Sequence, residues 1–429
     1  MKRIQVNRKL VVISGLGIRL ALAPIAGHAY DMGLFAFTQR IYFQEGIIGL
    51  KTFPTLPLLY FIQLPFYAIY AALEILGLSD YQLFYHTSLM IESVFLKAPY
   101  ILADVGIFLV IQKITGRLLP ATLFFLNPLA IFESSAWGIY DPLMLLAVVY
   151  GLLLMKKGNT LASSIMLTLG GVLKLFGFVP YILLLVRNAV TKRFRTVAFQ
   201  FLSTIIIVGA VVAPIVFFGG FYIFLAGFVF RFIGLSGVTL GGGNYSILYL
   251  LFANSLNRVP SPTLIVLIIV SSLYLYETRS GASLVALTKW SLVGAIFLNL
   301  FSQSEPQWLA WAIPLGIVYG ALTNRHGLLA FTYFYGTAST FLINTIGAQG
   351  TGFETLGLVT HFLPFVEGYD RALYVYGLMT LALFLLMLVY TFHKPVKFRF
   401  EIIALVALVY LQAYFWFSIV IVPRILGVA

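Results

Sequence analysis

Apolar residues recur along this chain in long runs separated by short polar breaks, with no alternation of the kind a half-buried strand shows. Stretches near 9–25, 54–77, 87–112, 118–135, 139–155, 159–173, 175–187, 197–219, 262–276, 285–300, 308–321, 327–346, 372–391 and 400–423 each read as a helix. A run of about 20 apolar residues crosses a hydrocarbon core of about 30 Å, and such runs occur from end to end. The pattern predicts an all-α, polytopic membrane bundle of about 13 transmembrane helices. A short amphipathic helix is expected after the first span, from about Asp31 to Gly46. The first run follows Met1-Lys2-Arg3 and reads as a retained span; a cleaved signal peptide is the alternative.

Composition narrows the class. Hydrophobic residues are 61% of the 429 and charged residues 10%, too few polar groups to cover a watery surface. The net charge of +13 comes from short basic clusters between spans, Lys2/Arg3/Arg8/Lys9, Lys156/Lys157, Arg187/Lys192/Arg193/Arg195, Arg325 and Lys394/Lys397/Arg399. That is the positive-inside pattern, so these clusters and the N-terminus are expected on the cytoplasmic side, and nucleic-acid binding is not expected. Lys113/Arg117 also read as cytoplasmic, although simple alternation from an outer loop at 26–53 puts them outside; a break near Lys97-Ala98-Pro99 would restore the parity. With no cysteine, thiol catalysis, disulfides and Cys-ligated zinc are excluded. No linker or repeat interrupts the chain, so residues 1–429 read as one domain.

A carboxylate at membrane depth is costly unless paired or hydrated, so the 14 acidic residues are informative. Asp31, Asp141 and Glu305 stand near expected outer helix ends, in segments rich in Gly, Pro, Trp or His. His28 and Asp31 are three residues apart, close enough to share a site; capping a helix is the other role open to Asp31 and Asp141. Trp137 and Tyr140 read as interface aromatics or site residues. Cations expected on the outer side, Arg40, Lys51, Arg231, Arg258 and Arg371, suit a phosphate or a lipid headgroup. Lys97 and Lys174 lie deeper and require partners.

Several of these segments together resemble the GT-C superfamily of membrane glycosyltransferases, which take a sugar from a polyprenyl-phosphate carrier. The resemblance rests on Asp31 in the first outer loop, Lys51-Thr-Phe-Pro-Thr-Leu-Pro before the next span, and the run from Asn127-Pro128 to Trp137-Gly138-Ile139-Tyr140-Asp141. It continues with Lys174-Leu-Phe to Pro180 and with Ser304-Glu305-Pro-Gln-Trp-Leu-Ala-Trp311, and spans about two thirds of the chain. Unlike relatives with paired acids in the first loop, this chain has His28-Ala-Tyr-Asp31.

The resemblance implies transfer of a hexose, mannose favoured, from a polyprenyl-phosphate sugar to a lipid-linked or glycan acceptor at the outer or lumenal face, with inversion. It implies Asp31 as general base. Lys51 and Arg231, and after them Lys97 and Arg40, would meet the lipid phosphate. Asp141 and Glu305 would orient hydroxyls, or hold a divalent magnesium or manganese ion with Asp31 or His28. A polytopic transporter or lipid flippase is the competing reading from another class.

Overall fold

The computed structural model describes residues 7–24, 26–46, 57–77, 90–217, 262–278, 283–301, 306–343, 353–355, 358–359 and 369–393. These are almost wholly helical. In chain order the elements are α1 (Arg8–Leu22), β1 (Ala26–His28), α2 (Ala29–Glu45), α3 (Pro57–Ile75), α4 (Met90–Thr115), α5 (Leu118–Phe125), α6 (Pro128–Ile131), a π-helical turn (Phe132–Trp137), α7 (Asp141–Lys156) and α8 (Thr160–Leu173). After a 3₁₀ turn (Leu175–Gly177) come α9 (Phe178–Val190), α10 (Phe194–Phe217), α11 (Pro262–Glu277) and α12 (Leu284–Phe301). A second 3₁₀ turn (Pro306–Trp311) leads to α13 (Ala312–Leu322), α14 (His326–Leu342), β2 (Phe353–Thr355), β3 (Leu358–Val359) and α15 (Tyr369–Phe392).

Three of these helices, α3, α4 and α10, are long and apolar enough to cross a membrane. A fourth span results if α5 and the α6 segment, bent by 52°, count together. Other apolar helical stretches, such as Thr160–Leu173, Phe178–Val190 and Leu378–Phe392, are shorter, and the run at 400–423 lies outside the described residues. The outward face of α10 shows why lipid suits the fold. Phe199, Phe201, Leu202, Ile205 and Ile206 are exposed side by side, a patch that water disfavours. Apolar contact gives α10 little to gain by leaving lipid, so hydrogen bonds tie it inward: Gln200 donates to Ser164 and accepts from Asn188 at 3.0 Å.

Two expectations change. The chain is not purely helical: β1 pairs antiparallel with β2, Ala26 opposite Thr355, Gly27 opposite Glu354 and His28 opposite Phe353, and β3 extends the sheet. Strands this short carry too few residues for period-2 patterning to show. The stretch after Asp31 is a helix as expected, but its apolar residues ring it: Met32, Phe35 and Ala36 are buried while Phe37 and Phe43 are exposed.

The core is a single apolar cluster in which α4 packs on α5 and α7, α7 on α8, and α13 on α14. A fully buried ion pair joins three of its elements. Arg19 Nε lies 2.8 Å from Asp104 Oδ2 and its Nη1 donates to the Phe125 carbonyl at 2.8 Å, so α1, α4 and α5 share one charge-neutral contact. Neutralisation makes burial of both charges tolerable.

The helix α4 runs unbroken through Pro99, so the break expected near Lys97-Ala98-Pro99 is absent. Its length sets Lys113 and Arg117 far from Lys97. Lys97 meets the α1–β1 link at one end. Seventeen residues on, about 26 Å along the axis, the Ile114 carbonyl accepts from Lys156 at 2.6 Å. Arg117 reaches Asn324 at 2.8 Å. Arg117 and Lys156 therefore share the end of the bundle opposite β1.

Candidate functional site

The site forms where four stretches of chain distant in sequence meet: the β1–α2 junction, the π-helical turn, the start of α7 with the end of α8, and the 3₁₀ turn before α13. His28 takes the position that caps α2, with Nδ1 3.3 Å from the backbone N of Asp31 and 2.7 Å from Asp31 Oδ2. The shorter contact assigns the Nδ1 proton to the carboxylate. Trp137 Nε1 donates to the same oxygen at 2.7 Å, and the Trp137 indole stacks on His28 with ring centroids 5.0 Å apart. Oδ2 thus carries two donors, Oδ1 takes no part in either contact, and the Asp31 side chain retains 18% exposure. Burial pushes the Asp31 carboxyl up, but the His28 and Trp137 hydrogen bonds and the nearby Lys174 ammonium outweigh it and hold the group below its usual value.

Local sequence explains how Trp137 gets there. Asn127 caps α6, its side chain accepting from the Leu129 N–H at 3.0 Å, with Pro128 at the first helical position where no N–H is needed. Gly336 leaves room for the Asn127 amide, which a Cβ there would strike. One widened turn follows, and both Gly138 and Ile139 N–H groups donate to the Glu133 carbonyl at 3.0 Å. Gly138 ends it in the left-handed region, φ 84°, where glycine is least strained. The turn delivers Trp137 to Asp31 and lets the chain restart at Asp141.

Asp141 is fully buried at the start of α7. Lys174 donates to its Oδ2 at 2.6 Å and Trp311 Nε1 donates to its Oδ1. The Lys174 ammonium also faces the rings of Tyr140 at 5.2 Å, Trp311 at 5.6 Å and Trp308 at 6.0 Å, and Trp308 stacks on Trp311 with centroids 4.5 Å apart. Glu133, unremarked as a site residue in the sequence, is buried nearby with Oε1 unpartnered, within electrostatic reach of Asp141 and Lys174. Its place on a widened turn, which aims it inward, has no local sequence signature.

Of the expected site residues, the structure therefore brings Asp31, His28 and Asp141 together, and adds Trp137, Lys174, Trp308 and Trp311. Lys97 is close, yet its ammonium donates to the Ala23 and Ala26 carbonyls and it is fully buried. Arg40 forms a two-pronged pair with Glu92, at 3.1 and 2.9 Å, on the far side of α2. Lys51, Arg231 and Glu305 lie outside the described residues. Of the residues expected to hold a divalent metal, Glu305 lies outside the described residues, an ammonium and an indole N–H occupy Asp141, Asp31 Oδ2 holds two donors, and no group of three or more His, Asp or Glu ligands occurs among the described residues. Comparison with known proteins adds no further assignment, since no family model, curated protein or solved structure matches the chain.

Proposed function

We propose that the protein is a membrane glycosyltransferase that moves a hexose, mannose favoured, from a polyprenyl-phosphate sugar to a hydroxyl of a lipid-linked or glycan acceptor. One observation carries this reading. The separate segments that resemble the GT-C superfamily, around Asp31, Trp137–Asp141, Lys174 and Trp308–Trp311, meet in one place, with a part-exposed Asp31 carboxylate among them. The end of the bundle holding this site is opposite Arg117 and Lys156, as expected for a site on the outer or lumenal face of a chain whose basic loops stay inside.

In this reading Asp31 Oδ1 takes the proton of the acceptor hydroxyl as the acceptor oxygen bonds to the anomeric carbon and the bond from that carbon to the lipid phosphate breaks. His28 and Trp137 fix the carboxylate's orientation, and the proton ends on Asp31. A single displacement inverts the anomeric centre. The departing lipid phosphate requires cations, for which Lys51 and Arg231 remain the expected residues. Lys174 balances the charge of Asp141, the buried carboxylate beside Asp31. Trp308 and Trp311 offer ring faces of the kind that cover the apolar side of a sugar.

Purified wild type and Asp31→Asn, each checked for folding by gel filtration, are given short polyprenyl-phosphate mannose or glucose, radiolabelled, with a crude lipid and glycan acceptor pool. The expected result is a labelled product from wild type and none from folded Asp31→Asn. Equal transfer by the variant removes Asp31 as base. No transfer by wild type from either donor removes the transferase reading and turns attention to transport, measured as flux.

A further inference from the structure

We propose that Lys97 is a positioning residue: its ammonium clamps the link between α1 and β1 and thereby holds Asp31 and Trp137 in register, without touching substrate. The inference rests on the transferase reading for its kinetic part and on geometry alone for the rest.

The link needs such a clamp. The last carbonyls of any α-helix lack intrahelical partners and carry the negative end of the helix dipole. At the end of α1 the chain passes through Ala23 into Pro24, which has no N–H to offer. Both the Ser93 hydroxyl, at 2.7 Å, and the Lys97 ammonium, at 3.0 Å, donate to the Ala23 carbonyl, and Lys97 also donates to the Ala26 carbonyl on β1. One cation thus bonds both sides of the turn that leads to His28 and Asp31. The same side chain touches the other half of the site: a Cβ on Gly138, the residue after Trp137, would lie 2.6 Å from Lys97 Cε, and a Cβ on Gly27 would lie 3.9 Å from its Nζ.

A lysine placed to bind a lipid phosphate keeps its head accessible. Lys97 is 0% exposed, and its ammonium donates to two backbone oxygens. Its ammonium is therefore engaged by backbone carbonyls on either side of the link rather than held ready for an anion. Removing it frees the link, and a displacement of about 1 Å at reacting groups costs about a hundredfold in rate.

The test compares wild type, Lys97→Met and Ser93→Ala. Two readouts are used: the indole N–H resonances of protein labelled with ¹⁵N-tryptophan, and kcat and KM for polyprenyl-phosphate sugar. The chain has five tryptophans, and the Trp137 signal is identified by its loss in Trp137→Phe. Trp290, which donates to Glu277 at 2.7 Å far from Lys97 in the fold, serves as the internal reference. Lys97→Met is expected to shift the Trp137 indole signal while Trp290 stays in place, and to lower kcat about a hundredfold with KM within twofold. Ser93→Ala, which keeps the ammonium and removes the weaker donor, moves both readouts the same way by a smaller amount, and it stands as the test if Lys97→Met does not fold.

A rise in donor KM at unchanged kcat with a stationary Trp137 signal makes Lys97 a phosphate ligand and overturns the proposal. Loss of thermal stability with both readouts unmoved makes it purely structural and overturns it too. If wild type transfers no sugar but Lys97→Met shifts Trp137, the clamp stands and the transferase reading falls.

Discussion

The pair of Lys174 and Asp141 gives the sharpest test of the site's electrostatics. In Lys174→Met the aliphatic stem is retained and the ammonium is lost, so packing changes little while Asp141, 0% exposed, loses its cation and keeps the Trp311 indole N–H. Breaking a buried pair by removing one partner costs about 3–5 kcal/mol, because the remaining charge is stranded in a low dielectric. The reverse change is milder. In Asp141→Asn an amide oxygen still accepts from Lys174 or Trp311, and the ammonium keeps the rings of Tyr140, Trp308 and Trp311 around it. Ring faces of this kind contribute about 0.5–2 kcal/mol, so a cost of about 1–2 kcal/mol is expected. The double variant lacks both charges and is expected to lie at least about 2 kcal/mol above the sum of the single losses. Reversible unfolding in bicelles by steric trapping measures all four proteins on one scale. A cost below about 1 kcal/mol for Lys174→Met, or equal single costs with no coupling, would refute a buried charge pair as the core of this site.

Two further outcomes follow from the same geometry. Gly138→Ala is expected to lower stability by about 2–4 kcal/mol, since alanine pays for a left-handed backbone and its Cβ runs into Met32 and Lys97. Gly138→Asn, although asparagine tolerates that backbone, should fare no better, and thermal unfolding of the two separates clash from strain. Asp31 predicts the pH dependence: its carboxyl is held below the usual 3.8, so its bonds to His28 and Trp137 add stability that is fully present above that value and is lost only as pH falls through the lower, folded-state value. The unfolding midpoint of wild type minus that of Asp31→Asn should therefore persist down to pH 3.8 and shrink below it.

Much of the fold is visible in the one-dimensional pattern because it depends on nearest neighbours in sequence. Helix α4 follows from an apolar run, α6 from Asn127-Pro128, and the end of α1 from Pro24; each needs only local backbone chemistry. That Arg117 and Lys156 share one end of the bundle, as their like charge suggests, is seen only in the unbroken course of α4 and its contacts. The acidic census likewise picked out Asp31 and Asp141, because a carboxylate among so few charges requires a partner whatever the fold.

The partners themselves are a matter of tertiary structure. The pattern set Arg40 on the outer side and Lys97 and Lys174 deeper without naming a partner for any of them, and contact supplied the partners: Lys97 is bound by the Ala23 and Ala26 carbonyls, Arg40 by Glu92, and Lys174 by Asp141 within a ring of aromatics. Trp137 could have been an interface aromatic until a widened turn, which no local signature announces, aimed its N–H at Asp31. The pairing of β1 with β2 joins residues more than 300 positions apart, a contact no window along the chain contains. The sequence by itself determined that this protein is helical, apolar and sparing with charge, because hydrophobicity and backbone propensity act locally. Which of its few charges hold the chain together, and which one keeps some exposure, was decided only by the packing, because pairing energies depend on distances between segments that the order of residues does not specify.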